Sequence, residues 1–272
     1  MMKKITARFP IIATLACLAA QVSHAQDIPD NVLRAEFRSG WQTDSGTQMA
    51  ALHLTLAPGW KTYWRAPGES GIPPQFDWSG SENIANAAFH WPKPEIFDLN
   101  GLRTIGYENE LVLPIELHPI KAGAPMIAMA EVELGVCEEV CIPMTVDISQ
   151  ALSPTTKQDP VIRAALSQVP EPAASAGLSA AKCSVEPIRD GMRLTSDLTL
   201  PRLGPAEFVV IELTDQAVWV STAQTSRSGG LLTSVADLVP PNAQPFALDR
   251  SDIRITVFGG AGRVLDLQGC PG

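Results

Sequence analysis

The sequence predicts an all-β protein in which a β-sandwich is followed by a second, smaller β-sandwich-like domain. Several short segments alternate apolar and polar residues with the two-residue period of half-buried strands. Turn-forming residues separate these segments at regular spacing, which is typical of β-sandwiches. A stretch of different character, rich in Pro, Ala and Ser, divides the two sets of strands.

The first 25 residues are typical of a secretory signal peptide. Three basic residues precede an apolar run at 11–20, and Ser23-His24-Ala25 supplies a small-x-small cleavage site. The run is too short to cross a membrane, so we expect cleavage, no membrane insertion and a location outside the cytoplasm. Removal of this segment leaves 17 basic and 29 acidic residues. This acidic balance argues against nucleic acid as a partner.

Residues 26–152 form the first predicted domain. Segments 32–38, 49–56 and 111–118 alternate apolar and polar residues, and each is predicted to be a half-buried strand. Two segments, 91–94 with two prolines and 97–101 ending in Asn-Gly, are predicted to be irregular.

An aromatic-rich segment covers residues 58–78 of this domain. Its Pro and Gly content excludes a long helix. We expect its aromatic side chains to pack in the core or under the loop, in preference to forming a docking surface. Arg65 and Glu69 are predicted to form a polar pair in this loop, without a catalytic role.

Cys137 and Cys141 lie between two strand-like segments, 130–134 and 142–148. A disulfide needs Cα atoms about 4.4 to 6.8 Å apart, whereas residues four apart in one strand are separated by roughly 13 Å. A three-residue hairpin loop, Glu138-Glu139-Val140, would bring the two cysteines opposite each other. The pairing then continues with Val136 and Ile142, Leu134 and Met144, Val132 and Val146, and Ala130 and Ile148.

All of these later pairs are apolar, so they define the core face of the hairpin. Because side chains alternate along a strand, Cys137 and Cys141 belong to the opposite face, which points to solvent or to a covering loop. The cysteines are therefore predicted to be reachable by another protein.

Redox exchange explains this pair better than a structural staple does. A disulfide that closes so small a loop constrains the unfolded chain little. The charges of Glu138 and Glu139 disfavour a thiolate, which suits a pair that receives electrons when a partner's thiolate attacks it. Cys141 is the preferred site of the mixed disulfide, because Pro143 follows it closely and restricts the local backbone.

The alternative to a redox relay is a non-enzymatic module that uses the same cysteines to bind a partner or to handle copper as Cu(I). Cys137, Cys141 and Met144 offer soft ligands that suit this ion. Against it, Met144 falls on the core face in the predicted register, where a methionine is usually a packing residue. No other spacing typical of a metal site, phosphate loop or catalytic triad is present, so no cofactor is predicted.

Four cysteines remain after loss of the signal, and an even number in an oxidising compartment suggests two disulfides. Three connectivities are possible. Local pairing of the first two leaves Cys183 with Cys270, a bond that would close a loop of almost ninety residues and contribute about 4 to 5 kcal/mol in the chain-entropy model. We interpret this second pair as structural.

Residues 153–181 are predicted to be a linker with a short helix. Asp159-Pro160 provides an N-cap followed by Pro at the first helical position, and 161–168 can form two turns. Residues 170–177 have linker composition. The second β-rich domain, 182–272, contains predicted strands at 192–200, 207–213, 217–221, 252–258 and 263–267.

Four motifs together resemble the N-terminal periplasmic domain of the DsbD family of thiol:disulfide interchange proteins, most closely its ScsB-like branch, which is associated with suppression of copper sensitivity. The resemblance is strong over residues 30–150 and looser beyond. The motifs are Gly135-Val-Cys-Glu-Glu-Val-Cys-Ile-Pro143, Trp60-Lys-Thr-Tyr-Trp-Arg65, Gly71-Ile-Pro-Pro-Gln-Phe-Asp-Trp78 and Ile105-Gly-Tyr107.

The resemblance implies an immunoglobulin-like β-sandwich whose exposed cysteine pair, matched here by Cys137 and Cys141, relays electrons in the periplasm. In the family an aromatic-bearing loop caps the pair, and Phe97 and Tyr107 are the candidates here. The implied donor is a thioredoxin-like domain fed across the membrane, and the implied acceptors are periplasmic thioredoxin-fold proteins. The sequence contains no transmembrane helices and no Cys-x-x-Cys domain, so we expect a separate membrane-embedded DsbD/ScsB-type reductase as donor.

Overall fold

The computed structural model describes residues 31–99, 101–214, 217–260 and 262–270. The predicted signal peptide lies outside these ranges. Nearly all regular structure within them is β, with nineteen strands and one α-helix. No helix in the described ranges is long and apolar enough to cross a membrane.

Ten strands form the first sandwich: β1 (Leu33–Gln42), β2 (Gln48–Leu56), β3 (Lys61–Gly68), β4 (Gln75–Asp77), β5 (Ile84–Phe89), β6 (Glu95–Leu99), β7 (Leu102–Glu108), β8 (Glu110–Pro119), β9 (Met126–Cys137) and β10 (Cys141–Leu152). One sheet has the order β1-β2-β8-β5. The other has the order β10-β9-β3-β7-β6, with β4 paired to β9. Apolar side chains from both sheets meet in one core.

The predicted strands at 32–38, 49–56 and 111–118 are confirmed as β1, β2 and β8. Their alternating apolar residues are buried in β2 and β8, whereas Ala35 and Phe37 of β1 are partly buried against the same core. The prediction of irregular structure is wrong for residues 97–99, which belong to β6 and pair with β7 beyond Gly101. Gly101 in the turn between them has a φ of 83°, a conformation that glycine adopts readily because it has no Cβ.

The aromatic-rich segment 58–78 contributes β3 and β4 to the second sheet of the sandwich. The prediction that its aromatic residues pack inward is confirmed for Trp64, which is fully buried in the first core. The predicted Arg65–Glu69 pair is wrong. Arg65 Nε donates to Glu212 Oε1 in the second sandwich, and Glu69 accepts from the backbone N–H of Arg103.

The predicted helix is confirmed as α1 (Pro160–Leu166). The Asp159 carboxylate accepts from the N–H groups of Val161 and Ile162, and Pro160 occupies the first turn, as expected for an N-cap followed by proline. Ile162 anchors the helix on a small apolar cluster that includes residues of β1 and β2.

Nine strands form the second sandwich: β11 (Glu171–Pro172), β12 (Ala180–Ile188), β13 (Gly191–Thr199), β14 (Phe208–Leu213), β15 (Trp219–Val220), β16 (Gln224–Ser228), β17 (Leu231–Val239), β18 (Ile253–Phe258) and β19 (Val264–Gln268). One sheet has the order β11-β19-β18-β14 and the other β12-β13-β17-β15, with β16 beside β17. The segment of linker composition at 170–177 packs against this sandwich, because β11 pairs with β19 and Ala173 and Ala176 are buried in the second core.

Five strands of the second sandwich agree with the predicted ones, whereas β11, β12, β16 and β17 were not predicted. In β17 the inward positions include Ser234, whose hydroxyl bonds to that of Ser196 at 2.6 Å in the core. A buried polar pair of this kind weakens the apolar alternation that identifies a strand in sequence.

Candidate functional site

The two cysteines of the first sandwich lie at the tip of the β9–β10 hairpin. The register places Cys141 opposite Cys137 and continues through all four apolar pairs that the sequence predicts. Glu138, Glu139 and Val140 form the connecting loop, and all three are exposed. The hairpin and its register are therefore confirmed.

Cys137 and Cys141 form a disulfide with a Cα–Cα distance of 4.1 Å. The two sulfurs have different surroundings. Cys137 is only 3% exposed, whereas Cys141 is an exposed residue. An incoming thiolate from another protein therefore reaches the sulfur of Cys141 first.

The hydroxyl of Tyr63 lies against both sulfurs of the disulfide. Its hydroxyl donates a hydrogen bond to Cys137 Sγ at 3.0 Å, and the same oxygen lies 3.3 Å from Cys141 Sγ. Burial raises the pKa of Tyr63 above its usual value, so this hydroxyl is a protonated donor at neutral pH. A phenol in this position can stabilise negative charge that develops on the sulfur of Cys137.

Gly135 makes room for this arrangement. It lies two residues before Cys137 on β9, and a Cβ there would be 2.8 Å from Ile72 Cβ and 3.2 Å from a ring carbon of Tyr63. The ring therefore passes close over the strand and its hydroxyl reaches the sulfurs. Tyr63 is not among the site residues predicted from the sequence. Two features of the sequence could have indicated this contact: a glycine two residues before the first cysteine, and a tyrosine without an assigned role in the aromatic-rich segment.

The structure places the two predicted cap residues differently. Lys61, which lies opposite Cys137 in the sheet, holds its ammonium group 4.5 Å from the centre of the Phe97 ring. Phe97 is thus linked to the cysteine hairpin through Lys61. Tyr107 is buried in the core, where it stacks on Trp91 and its hydroxyl donates to the carbonyl of Pro92.

Met144, the third ligand in the Cu(I) alternative, is buried in the first core opposite Leu134, on the face that the sequence predicted. The two sulfurs of the disulfide are on the other face of the hairpin. Within the described ranges, no cluster of three or more His, Cys, Asp or Glu side chains could hold a metal ion.

Cys183 and Cys270 form the second disulfide, the pairing expected from sequence. It joins β12 to the segment after β19 across 87 residues, with a Cα–Cα distance of 5.9 Å. Both residues are buried in the apolar core of the second sandwich, at 2% and 1% exposure. A protein partner has no direct access to these sulfurs.

Residues 31–153 match the family model described as thiol:disulfide interchange protein DsbD, N-terminal. The crystal structure of the N-terminal periplasmic domain of ScsB from Proteus mirabilis is similar in fold, with a TM-score of 0.64 at 24% sequence identity. The match covers 90% of this chain and 96% of that one, so the likeness includes both sandwiches. No curated protein sequence matches the chain significantly.

Proposed function

We propose that this protein relays electrons in the periplasm through Cys137 and Cys141, because residues 31–153 match the family model of the N-terminal domain of the thiol:disulfide interchange protein DsbD. The observation that carries the proposal is the asymmetry of the disulfide. Cys141 is an exposed residue at the hairpin tip, whereas Cys137 is buried and lies nearer to the Tyr63 hydroxyl, at 3.0 Å against 3.3 Å for Cys141.

The relay has two half-reactions. A partner's thiolate attacks Cys141 Sγ, the Cys137–Cys141 bond breaks, and Cys137 leaves as a thiolate that Tyr63 stabilises. The partner's second thiol then attacks the mixed disulfide, so that the partner becomes oxidised and this protein gains two electrons and two protons as a dithiol. The reduced pair reacts with an acceptor disulfide by the same steps in reverse order.

We propose a separate membrane-embedded reductase of the DsbD/ScsB type as electron donor and a periplasmic thioredoxin-fold protein as acceptor. Val140 supports a protein partner, because this apolar side chain is 72% exposed directly beside Cys141. Phe97, held under Lys61, is proposed as a cap that shields the pair between encounters. The Cys183–Cys270 bond is proposed to be structural.

A redox titration of the folded mature protein tests this function. The protein is equilibrated in glutathione or dithiothreitol buffers, alkylated, and mapped by peptide mass. We expect Cys137 and Cys141 to titrate together at a potential well above about −300 mV while Cys183 and Cys270 stay oxidised. A pair that stays oxidised until the sandwich unfolds would exclude the relay.

Single-cysteine variants identify the attacked sulfur. With Cys137→Ser, a thioredoxin-fold partner that has one active-site cysteine, activated as a mixed disulfide with a small thiol, should be captured at Cys141, whose thiolate attacks the partner sulfur and releases the small thiol. Cys141→Ser should capture it at least tenfold less, since Cys137 is covered. Equal capture by both variants would contradict the assignment of Cys141.

A further inference from the structure

Strand β3 connects the redox site to the second sandwich within three consecutive residues. Tyr63 contacts the sulfurs of the Cys137–Cys141 disulfide. Trp64, next in the chain, packs edge to face on Phe258 of β18, with ring centres 5.7 Å apart. Arg65 then enters a polar cluster on β14, β18 and β19.

The contacts of Arg65 are numerous and largely buried. Its Nε donates to Glu212 Oε1 at 3.0 Å, its Nη2 donates to the hydroxyl of Thr256 at 3.2 Å, and Nη2 lies 3.6 Å from Asp266. Arg254 binds the same Asp266 carboxylate. Burial lowers the pKa of Arg65 and raises that of Glu212, so both charges are held out of water by the fit of the two sandwiches.

The pairing of β3 with β7 is irregular around Arg65. Regular pairing of β3 with β7 ends at Tyr63 opposite Gly106 and resumes only at Gly68 opposite Thr104. Residues 64–67 lie in this interruption, where Trp64 is held in the first core and the Arg65 side chain is held by its contacts with the second sandwich. A second contact flanks the interruption, since the Arg103 guanidinium lies 4.5 Å from the centre of the Phe208 ring.

We propose that Arg65 is a positioning residue for the redox site. By fixing β3 where sheet pairing stops, Arg65 and its partners hold the hydroxyl of Tyr63 against Cys137, so the second sandwich controls the reactivity of a disulfide that it does not contain. The inference rests on the proposed function, because it concerns the rate at which that disulfide is opened.

The test measures the rate at which dithiothreitol reduces Cys137–Cys141 in the folded protein. Arg65→Met keeps an unbranched apolar stem in place of the aliphatic part of the side chain and removes its polar contacts, and Thr256→Val removes one of them without a change of shape. We expect Arg65→Met to slow reduction at least threefold and Thr256→Val to slow it by a smaller factor. Arg227→Met is the matched control, because it breaks a buried ion pair with Glu207 inside the second sandwich.

A double-variant cycle separates positioning from general loosening. In a Tyr63→Phe background, Arg65→Met should not lower the reduction rate further, because the hydroxyl that Arg65 positions is absent. Two results would overturn the inference and leave the relay intact. One is that Arg65→Met lowers the reduction rate equally in the wild-type and Tyr63→Phe backgrounds. The other is that neither Arg65→Met nor Thr256→Val lowers it. Resistance of the wild-type pair to reduction would overturn the relay as well.

Discussion

The two disulfides of this protein differ in ring size, exposure and surroundings. Cys137–Cys141 closes a ring of five residues at a hairpin tip, with one exposed sulfur and a tyrosine hydroxyl at the other. Cys183–Cys270 spans 87 residues and is enclosed by apolar side chains. Small rings restrict the unfolded chain less than large ones do, whereas access and a nearby proton donor favour exchange. One molecule thus contains a bond suited to reaction and a bond suited to stability.

The largest expected effect concerns stability. In the chain-entropy model, loss of the Cys183–Cys270 bond lowers the free energy of unfolding by about 4 to 5 kcal/mol, and loss of the Cys137–Cys141 bond lowers it by about 2 kcal/mol. The double variants Cys183→Ala/Cys270→Ala and Cys137→Ala/Cys141→Ala, compared by urea unfolding followed with circular dichroism, measure both values. Equal losses would remove the contrast between a structural and a reactive bond.

The sequence predicted the hairpin and both bonds because each depends on local or countable features. Alternation of apolar residues specifies the register of β9 and β10, and four cysteines allow few pairings. The surroundings of the pair could not be predicted in the same way. Tyr63 lies 74 residues before Cys137, and its place over the sulfurs depends on pairing between β3 and β9 and on the missing side chain of Gly135.

The contacts of Arg65 could not be predicted from the sequence either. Proximity along the chain suggested Glu69 as its partner, but the structure gives it Glu212, 147 residues away. Two residues four apart around the Pro67-Gly68 segment need not face each other, since a strand continues to Gly68. Only the packing of one sandwich on the other decides which carboxylate the guanidinium meets.

The next effect concerns the proton donor at the reactive bond. Tyr63→Phe should slow reduction of Cys137–Cys141 by dithiothreitol roughly tenfold, because a hydrogen bond to a charged sulfur contributes about 1.5 kcal/mol or more. Tyr107→Phe is the matched control, since it removes a buried hydroxyl that bonds to the Pro92 carbonyl. If Tyr107→Phe slows the reduction and Tyr63→Phe does not, Tyr107 is the residue that acts on the pair.

The pH dependence sharpens this prediction. A phenol donates its proton only below its own pKa, and burial raises the pKa of Tyr63 above the usual value of about 10. Donation is therefore maintained between about pH 6 and pH 9, and the ratio of wild-type to Tyr63→Phe rates should stay constant while both rates rise with ionisation of the reagent thiol. A ratio that falls towards one near pH 8 would show that Tyr63 ionises in this range.

The smallest expected effect concerns the charge of the hairpin loop, a feature that distinguishes the exposed bond from the enclosed one. Glu138 and Glu139 are exposed beside Cys141 and repel anionic thiols through water. Glu138→Gln/Glu139→Gln should therefore raise the rate of attack by glutathione about two- to threefold at low salt and lower the rate of attack by cysteamine, which is cationic. Both changes should disappear at about 1 M salt, where the Debye length is about 3 Å.

The matched control for this charge change is Glu131→Gln/Glu133→Gln. It removes the same charge from exposed positions on β9, and strand geometry places them roughly 13 to 20 Å from Cys137. Screening makes charges at that distance ineffective, so the control should leave both rates near wild type. If the control and the loop variant raise the rate of attack by glutathione equally, the net charge of the protein governs access to the pair. The loop carboxylates would then have no particular part in the choice of partner.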